Sequence, residues 1–113
     1  MKKKGREVVL KLKKWDDWDE DLESEFNGED LMDIVQDWLS ENAVNGIFNL
    51  SDATENFANF EEVRIPLFND KGRAVDARSF MSGLQKHMKN NYSIPSKLVI
   101  RGLGEATLIL GEQ

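Results

Sequence analysis

Apolar and polar positions alternate near the start of the chain. In "REVVLKLKKW", Val8, Leu10 and Leu12 fall on one side, and Glu7, Val9, Lys11 and Lys13 on the other. A period of two predicts a strand with one dry and one wet face, and its lysines suit an exposed face or a sheet edge. The period changes in "FNGEDLMDIVQDWLSENAVNG", where Leu31, Ile34, Val35, Trp38 and Leu39 recur at helical spacing. That segment predicts a helix capped by Asn27, with Asp30 closing a capping box, Phe26 stapled on Leu31 and Gly46 as the stop. Between the two elements, residues 15–26, "WDDWDEDLESEF", show no clean period and read as a loop with at most a frayed helical turn.

Beyond Gly46, "IFNL" predicts a short strand, and "SDATENFANF" a brief helix with Asp52 and Glu55 at capping-box spacing. "EEVRIPLF" alternates Val63, Ile65 and Leu67 against Arg64, Pro66 and Phe68. Because proline cannot donate to a ladder, Pro66 points to an edge or a bulge. "NDKG" predicts a turn. A second helix follows from Asp76, stapled by Val75 and Phe80, with Phe80, Met81, Leu84 and Met88 facing inward, until "YSIPSK" ends it. "KLVIRGLGEATLILG" predicts two strands turned back at "GLG". The order gives an α+β fold: a small two-layer sandwich with two main helices on one face of a mixed or mostly antiparallel sheet of about four strands. The expected organisation is a single domain over residues 1–113, with residues 1–5 a flexible basic tail.

Composition narrows the class. The chain has 113 residues, 40% of them hydrophobic and 32% charged, as in a globular protein. It contains no cysteine, which excludes disulfides, thiolate metal sites and cysteine nucleophiles, and fits a reducing compartment, so a cytoplasmic location is expected. "MKKKGREVVLKLKKW" has the charge of a secretion signal, but its apolar stretch is only "VVL", and no run approaches membrane-spanning length.

Charge is segregated along the chain. Residues 1–14 carry seven bases against Glu7, residues 15–41 carry twelve acids and no base, and residues 42–113 balance, for a net charge of −6. Segregation of this kind shapes partner choice and association rate rather than fold.

Catalytic chemistry finds little support. The only histidine, His87, sits between Lys86 and Met88 on the second helix, and no "GxSxG" elbow is present. "GLGEAT" lacks the third glycine and the strand-then-helix setting of a dinucleotide fingerprint. Asp17, Asp19, Asp21, Glu23 and Glu25 imitate alternate ligands of a calcium loop, but its sixth position is Leu22 and its twelfth Gly28, where glycine and a bidentate glutamate are required. No catalytic residue, metal site or cofactor is expected. Lys2, Lys3, Lys4, Arg6 and Arg101, with "LQKHMKNNYSIPSK", could line a phosphate-binding surface, and Trp15, Trp18 or Tyr92 could stack bases. The adjoining acidic run would repel phosphate over about a Debye length, ~8 Å at physiological salt, so direct nucleic-acid binding is disfavoured.

The expectation is a non-enzymatic domain whose acidic surface engages a basic groove of a partner protein. Its sharper form is a DNA-mimic inhibitor or regulator of a nucleic-acid-handling protein, of the sort viruses of bacteria use. Asp16, Asp17, Asp19, Glu20, Asp21, Glu23 and Glu25 would supply charge. Asp33 and Asp37, with Glu41, would extend the row along the first helix, while the lysines of the first strand could partly neutralise it. Trp15 and Trp18 are either interface anchors or core cover. The alternatives are a nucleic-acid-binding accessory protein using the Lys-rich N-terminus and second helix, and a virion or assembly component; homodimerisation is left open.

Overall fold

The structure, a computed structural model, describes residues 6–68, 71–100 and 104–112, without the side chain of Ile100. Its elements are β1 (Arg6–Lys14), β2 (Glu25–Phe26), β3 (Glu29–Asp30), α1 (Leu31–Asn42), a 3-10 turn (Val44–Gly46), β4 (Asn49–Ala53), β5 (Phe57–Ile65), α2 (Ala77–Tyr92), β6 (Ser96–Ile100) and β7 (Glu105–Leu110). Five strands form one mixed sheet in the order β4-β5-β1-β7-β6, and β2 and β3 form a separate two-stranded ribbon. The fold is α+β with two helices and two layers. The expected sheet of about four strands gains one strand and a small ribbon.

The dry face of β1 is formed by Val8, Leu10 and Leu12, all buried. Its expected exposed face is correct, but the strand is central rather than an edge: it pairs antiparallel with β5 and parallel with β7. A central strand tolerates these charges because its wet face meets opposite charges across the ladder. Lys11 reaches Glu105 of β7 at 3.6 Å, and Glu7 accepts from Arg64 of β5 at 3.0 Å. Buried positions of β5 (Ala58, Phe60, Val63, Ile65) and β7 (Ala106, Leu108, Leu110) continue the dry face. Helix α2 lies over β6, β7 and β1, with Phe80, Met81, Leu84 and Met88 buried as the spacing required. Helix α1 meets α2 through Trp38, which packs edge-on to Phe80 at 5.0 Å and against Gly83.

The brief helix expected over "SDATENFANF" is instead a β4–β5 hairpin. Thr54 Oγ1 accepts from the N–H groups of Asn56 and Phe57, and Thr54 N–H donates to Phe57 C=O, which closes a tight turn. The period-two burial of Ala58 and Phe60 outweighs the capping-box signal. The bulge expected near Pro66 lies earlier, where the β1–β5 register shifts and Glu62 takes φ +54. Pro66 follows the last residue of β5, which is second in the sheet and not an edge.

Helix α2 has the expected start. Asp76 accepts from Ser79 N–H at 2.9 Å, Ser79 Oγ accepts from Asp76 N–H at 3.0 Å, and the staple residues Val75 and Phe80 are both buried. It ends at Ser93, with φ +57. Of the "NDKG" turn, Asn69 and Asp70 lie outside the described residues; Gly72 takes φ +78, and Phe68 and Ala74 bridge across the loop. The expected antiparallel pairing of the last two strands is present, while Gly102 and Leu103 of its turn lie outside the described residues.

Candidate functional site

The start of α1 differs from expectation, and the difference builds the site. Asn27 and Gly28 are not a helix cap; both take positive φ, +54 and +83, and form the two-residue turn of the β2–β3 ribbon. "NG" is the dipeptide that favours such a primed turn. The helix begins at Leu31 with Asp30 as its cap residue, which makes no side-chain capping bond. Its first N–H is met by the loop, since Leu31 donates to Ser24 C=O at 3.0 Å. Phe26, the expected staple, instead stacks on Trp18 at 5.9 Å with ring planes 4° apart. At the other end the helix stops at Asn42, before Gly46, whose φ of +67 serves the following 3-10 turn.

Residues 15–24 are an ordered loop held by apolar and backbone contacts. Trp15 N–H donates to Leu110 C=O at the end of β7, and Leu22 N–H to Glu55 C=O in the β4–β5 turn. Leu22, an aliphatic side chain in the middle of the run, is fully buried, a burial that stabilises by about 1.5–3 kcal/mol. Trp18 sits so close over Gly111 that a Cβ there would collide with its Cβ, Cγ and Cδ1. Asp21 closes a small turn: its carboxylate accepts from Glu23 N–H at 2.8 Å and from Ser24 Oγ at 3.3 Å. The ribbon docks on the end of α2, where Asn27 donates to Asn91 C=O at 3.1 Å and the Tyr92 hydroxyl to Glu29 at 2.6 Å.

With the backbone fixed in this way, Asp16, Asp17, Asp19, Glu20, Glu23 and Glu25 are exposed and Asp21 is half-buried. Among the described residues none of the seven carboxylates forms an ion pair. Among the described residues the β1 lysines form no ion pair with the run: Lys11 pairs with Glu105, and Lys14 donates to Trp15 C=O. Asp33, Asp37 and Glu41 are exposed on α1. The ribbon adds Glu29 and Asp30, both exposed, the second of which the sequence reading used only to close a capping box. The hydrogen bond to Glu29 leads in pushing the Tyr92 phenol above its ordinary value, joined by burial and by the charges of Glu29 and Asp37. Ribbon and helix thus act on one side chain through one field.

The two tryptophans separate. Trp18 is partly buried and belongs to the core edge, whereas Trp15 is 36% exposed beside the carboxylates. His87 is engaged locally, with its Nδ1 3.2 Å from Asn91 Nδ2 and its ring edge-on to Tyr92 at 5.8 Å. Among the described residues no group of three or more His, Asp and Glu is placed to hold a metal, and no helix is long and apolar enough to cross a membrane. Of the expected phosphate-binding surface, Lys2, Lys3, Lys4 and Arg101 lie outside the described residues.

Fold and site together define a small two-layer α+β domain that displays an ordered acidic loop beside an acidic helix face. The chain belongs to the family described as "Domain of unknown function (DUF6175)", whose model matches residues 6–111. No curated protein and no solved structure matches it.

Proposed function

We propose that this is a non-catalytic binding domain of the cytoplasm whose acidic surface docks on a basic groove of a partner protein. One observation carries the reading: the run is fixed by Leu22, Trp18 and backbone bonds, yet its carboxylates have no ionic partner among the described residues. Like charges held together oppose folding unless something relieves them. Helix α1 supports the same reading. Asp33 suits the positive end of the helix dipole, but Glu41 sits in a last turn without a basic residue, where a negative charge is unfavourable. Asp33, Asp37 and Glu41 also repeat at four-residue spacing, and each like-charge pair costs about 0.2–0.5 kcal/mol. Folding does not account for this pattern, whereas a cationic partner does.

The partner is then a protein with a nucleic-acid-binding surface, and the domain acts by occupying that surface in place of phosphates, with fast, salt-sensitive association. Trp15 supplies short-range grip at the rim of the loop. The test replaces Asp16, Asp17, Asp19, Glu20, Glu23 and Glu25 with Asn or Gln and spares Asp21, which holds the turn. Both forms serve as bait in nuclease-treated lysate. The expected result is a partner captured by the native protein alone, whose binding to labelled DNA or RNA the native protein displaces. Equal capture by the neutral variant would refute the proposal, as would direct retention of labelled nucleic acid by the domain itself.

A further inference from the structure

The two edges of the main sheet are unlike. At β4 the register is broken by a bulge at Ser51, and Asp52 is exposed; bulges and charges discourage another strand from pairing there. At β6 the register with β7 is unbroken from Ser96↔Leu110 to Ile100↔Ala106. Gly111 N–H donates to Pro95 C=O at 2.7 Å, and these two residues lie directly opposite. Bonded pairs alternate along an antiparallel ladder, so Lys97 and Val99 bond to β7, while the N–H and C=O groups of Ser96, Leu98 and Ile100 point away from it. One of these is occupied: Ser96 C=O accepts from Gln85 Nε2 of α2 at 3.0 Å. Gln85 also lines two adjoining depressions of about 560 and 550 Å³ between α2 and β6. Half-buried Leu98 floors the first, with Arg78, Ser79 and Ser82 on its helix wall; Lys86 and Lys89 wall the second.

We infer that the groove between α2 and β6 binds an extended acidic peptide segment, which adds to the sheet as a sixth strand on the β6 edge. Strand addition draws affinity from backbone hydrogen bonds and specificity from alternate side chains, and this edge offers both outward backbone groups and an apolar floor at Leu98. Charge selects the occupant. The acids at the groove are already engaged, Asp76 in the α2 capping box and Glu112 with Lys97 at 3.6 Å. Lys86 and Lys89 form no ion pair among the described residues, and Arg78 lines the first depression on the same helix. At physiological salt, where fields fade over about 8 Å, the cations that line the groove act most directly on what it holds.

The test is amide NMR on the full chain, titrated with a blocked peptide of about eight residues alternating valine and glutamate, and with its valine–lysine counterpart. The glutamate peptide is expected to shift the Leu98 and Ile100 amides and slow their hydrogen exchange, and the lysine peptide to leave them unmoved. Lys86→Glu with Lys89→Glu should weaken the glutamate peptide at least about tenfold and favour the lysine peptide. Leu98→Pro deletes an outward donor that β7 does not use, and should abolish binding in a folded protein; if that variant fails to fold, the charge-reversed one decides. Absence of β6 shifts, or shifts indifferent to charge, would overturn the inference. So would Leu98 and Ile100 amides already protected in the free protein together with a concentration-dependent mass, which would give the edge to a second copy of this chain.

Discussion

The acidic loop and the α2–β6 groove both expose charge, but they hold it in different ways. In the loop, order comes from apolar and backbone contacts, with Leu22 buried, Trp18 pressed on Gly111, and Trp15 and Leu22 bonded to β7 and the β4–β5 turn. Among the described residues, only Asp21 of its seven carboxylates makes a hydrogen bond that holds the loop. In the groove, charged groups are part of the scaffold: Asp76 caps α2, and Glu112 meets Lys97. The contrast teaches that a charged segment can be rigid without being electrostatically satisfied. A loop already held by such contacts has less ordering left to do when a partner binds, which lowers the cost of binding.

The comparison breaks most visibly at Leu22. Leu22→Ala is expected to cost about 2–5 kcal/mol and to release the loop, read as a lower denaturation midpoint and a red-shifted tryptophan emission. Next comes Gly111→Ala, which places a methyl group in the seat of Trp18 at a residue with φ +90; a loss of about 1–3 kcal/mol is expected in chemical denaturation. On the groove side, Asp76→Ala removes the α2 cap at a cost of about 1 kcal/mol. The Ser79 N–H bonded to its carboxylate holds Asp76 below the usual 3.8. A depressed carboxyl adds stability above its unfolded value and loses it as pH falls through the folded one. The gap between native and Asp76→Ala proteins should therefore narrow below about pH 4. The smallest effect runs the other way. Glu41→Lys puts a cation in the last turn of α1 and removes a like-charge pair, so it should stabilise by about 0.3–1 kcal/mol while weakening capture of the basic partner.

Strong periodicities were legible in the sequence. The alternation of Val8, Leu10 and Leu12, the α1 stripe from Leu31 to Leu39, and the Asp76 cap with its Val75 and Phe80 staple all appear as read. The position of β1 in the sheet was not, because central and edge strands with one wet face share the same alternation, and its ion pairs with Glu105 and Arg64 are long-range. The β4–β5 hairpin was hidden by Asp52 and Glu55 at capping distance, and the period-two burial of Ala58 and Phe60 does not show as an apolar–polar alternation in "FANF". "NG" at positions 27 and 28 announced the ribbon and was read as a cap. The acidic surface was visible as charge alone; its anchors were less so. Leu22, an isolated aliphatic residue among carboxylates, was the available clue, while the seat of Trp18 on Gly111 joins residues that no local pattern connects.

The central claim, that the run is held rigid with its carboxylates unpartnered, is tested most directly by the denaturation midpoint of the native protein and the six-site Asn/Gln variant across salt concentration. Screening shortens from about 30 Å at 0.01 M to about 8 Å at 0.15 M. The native midpoint should rise over that range as repulsion within the loop fades, while the variant, starting higher, should change little. A native midpoint that starts no lower than that of the variant and falls with salt would mean that the carboxylates are paired within the fold, and would contradict the account.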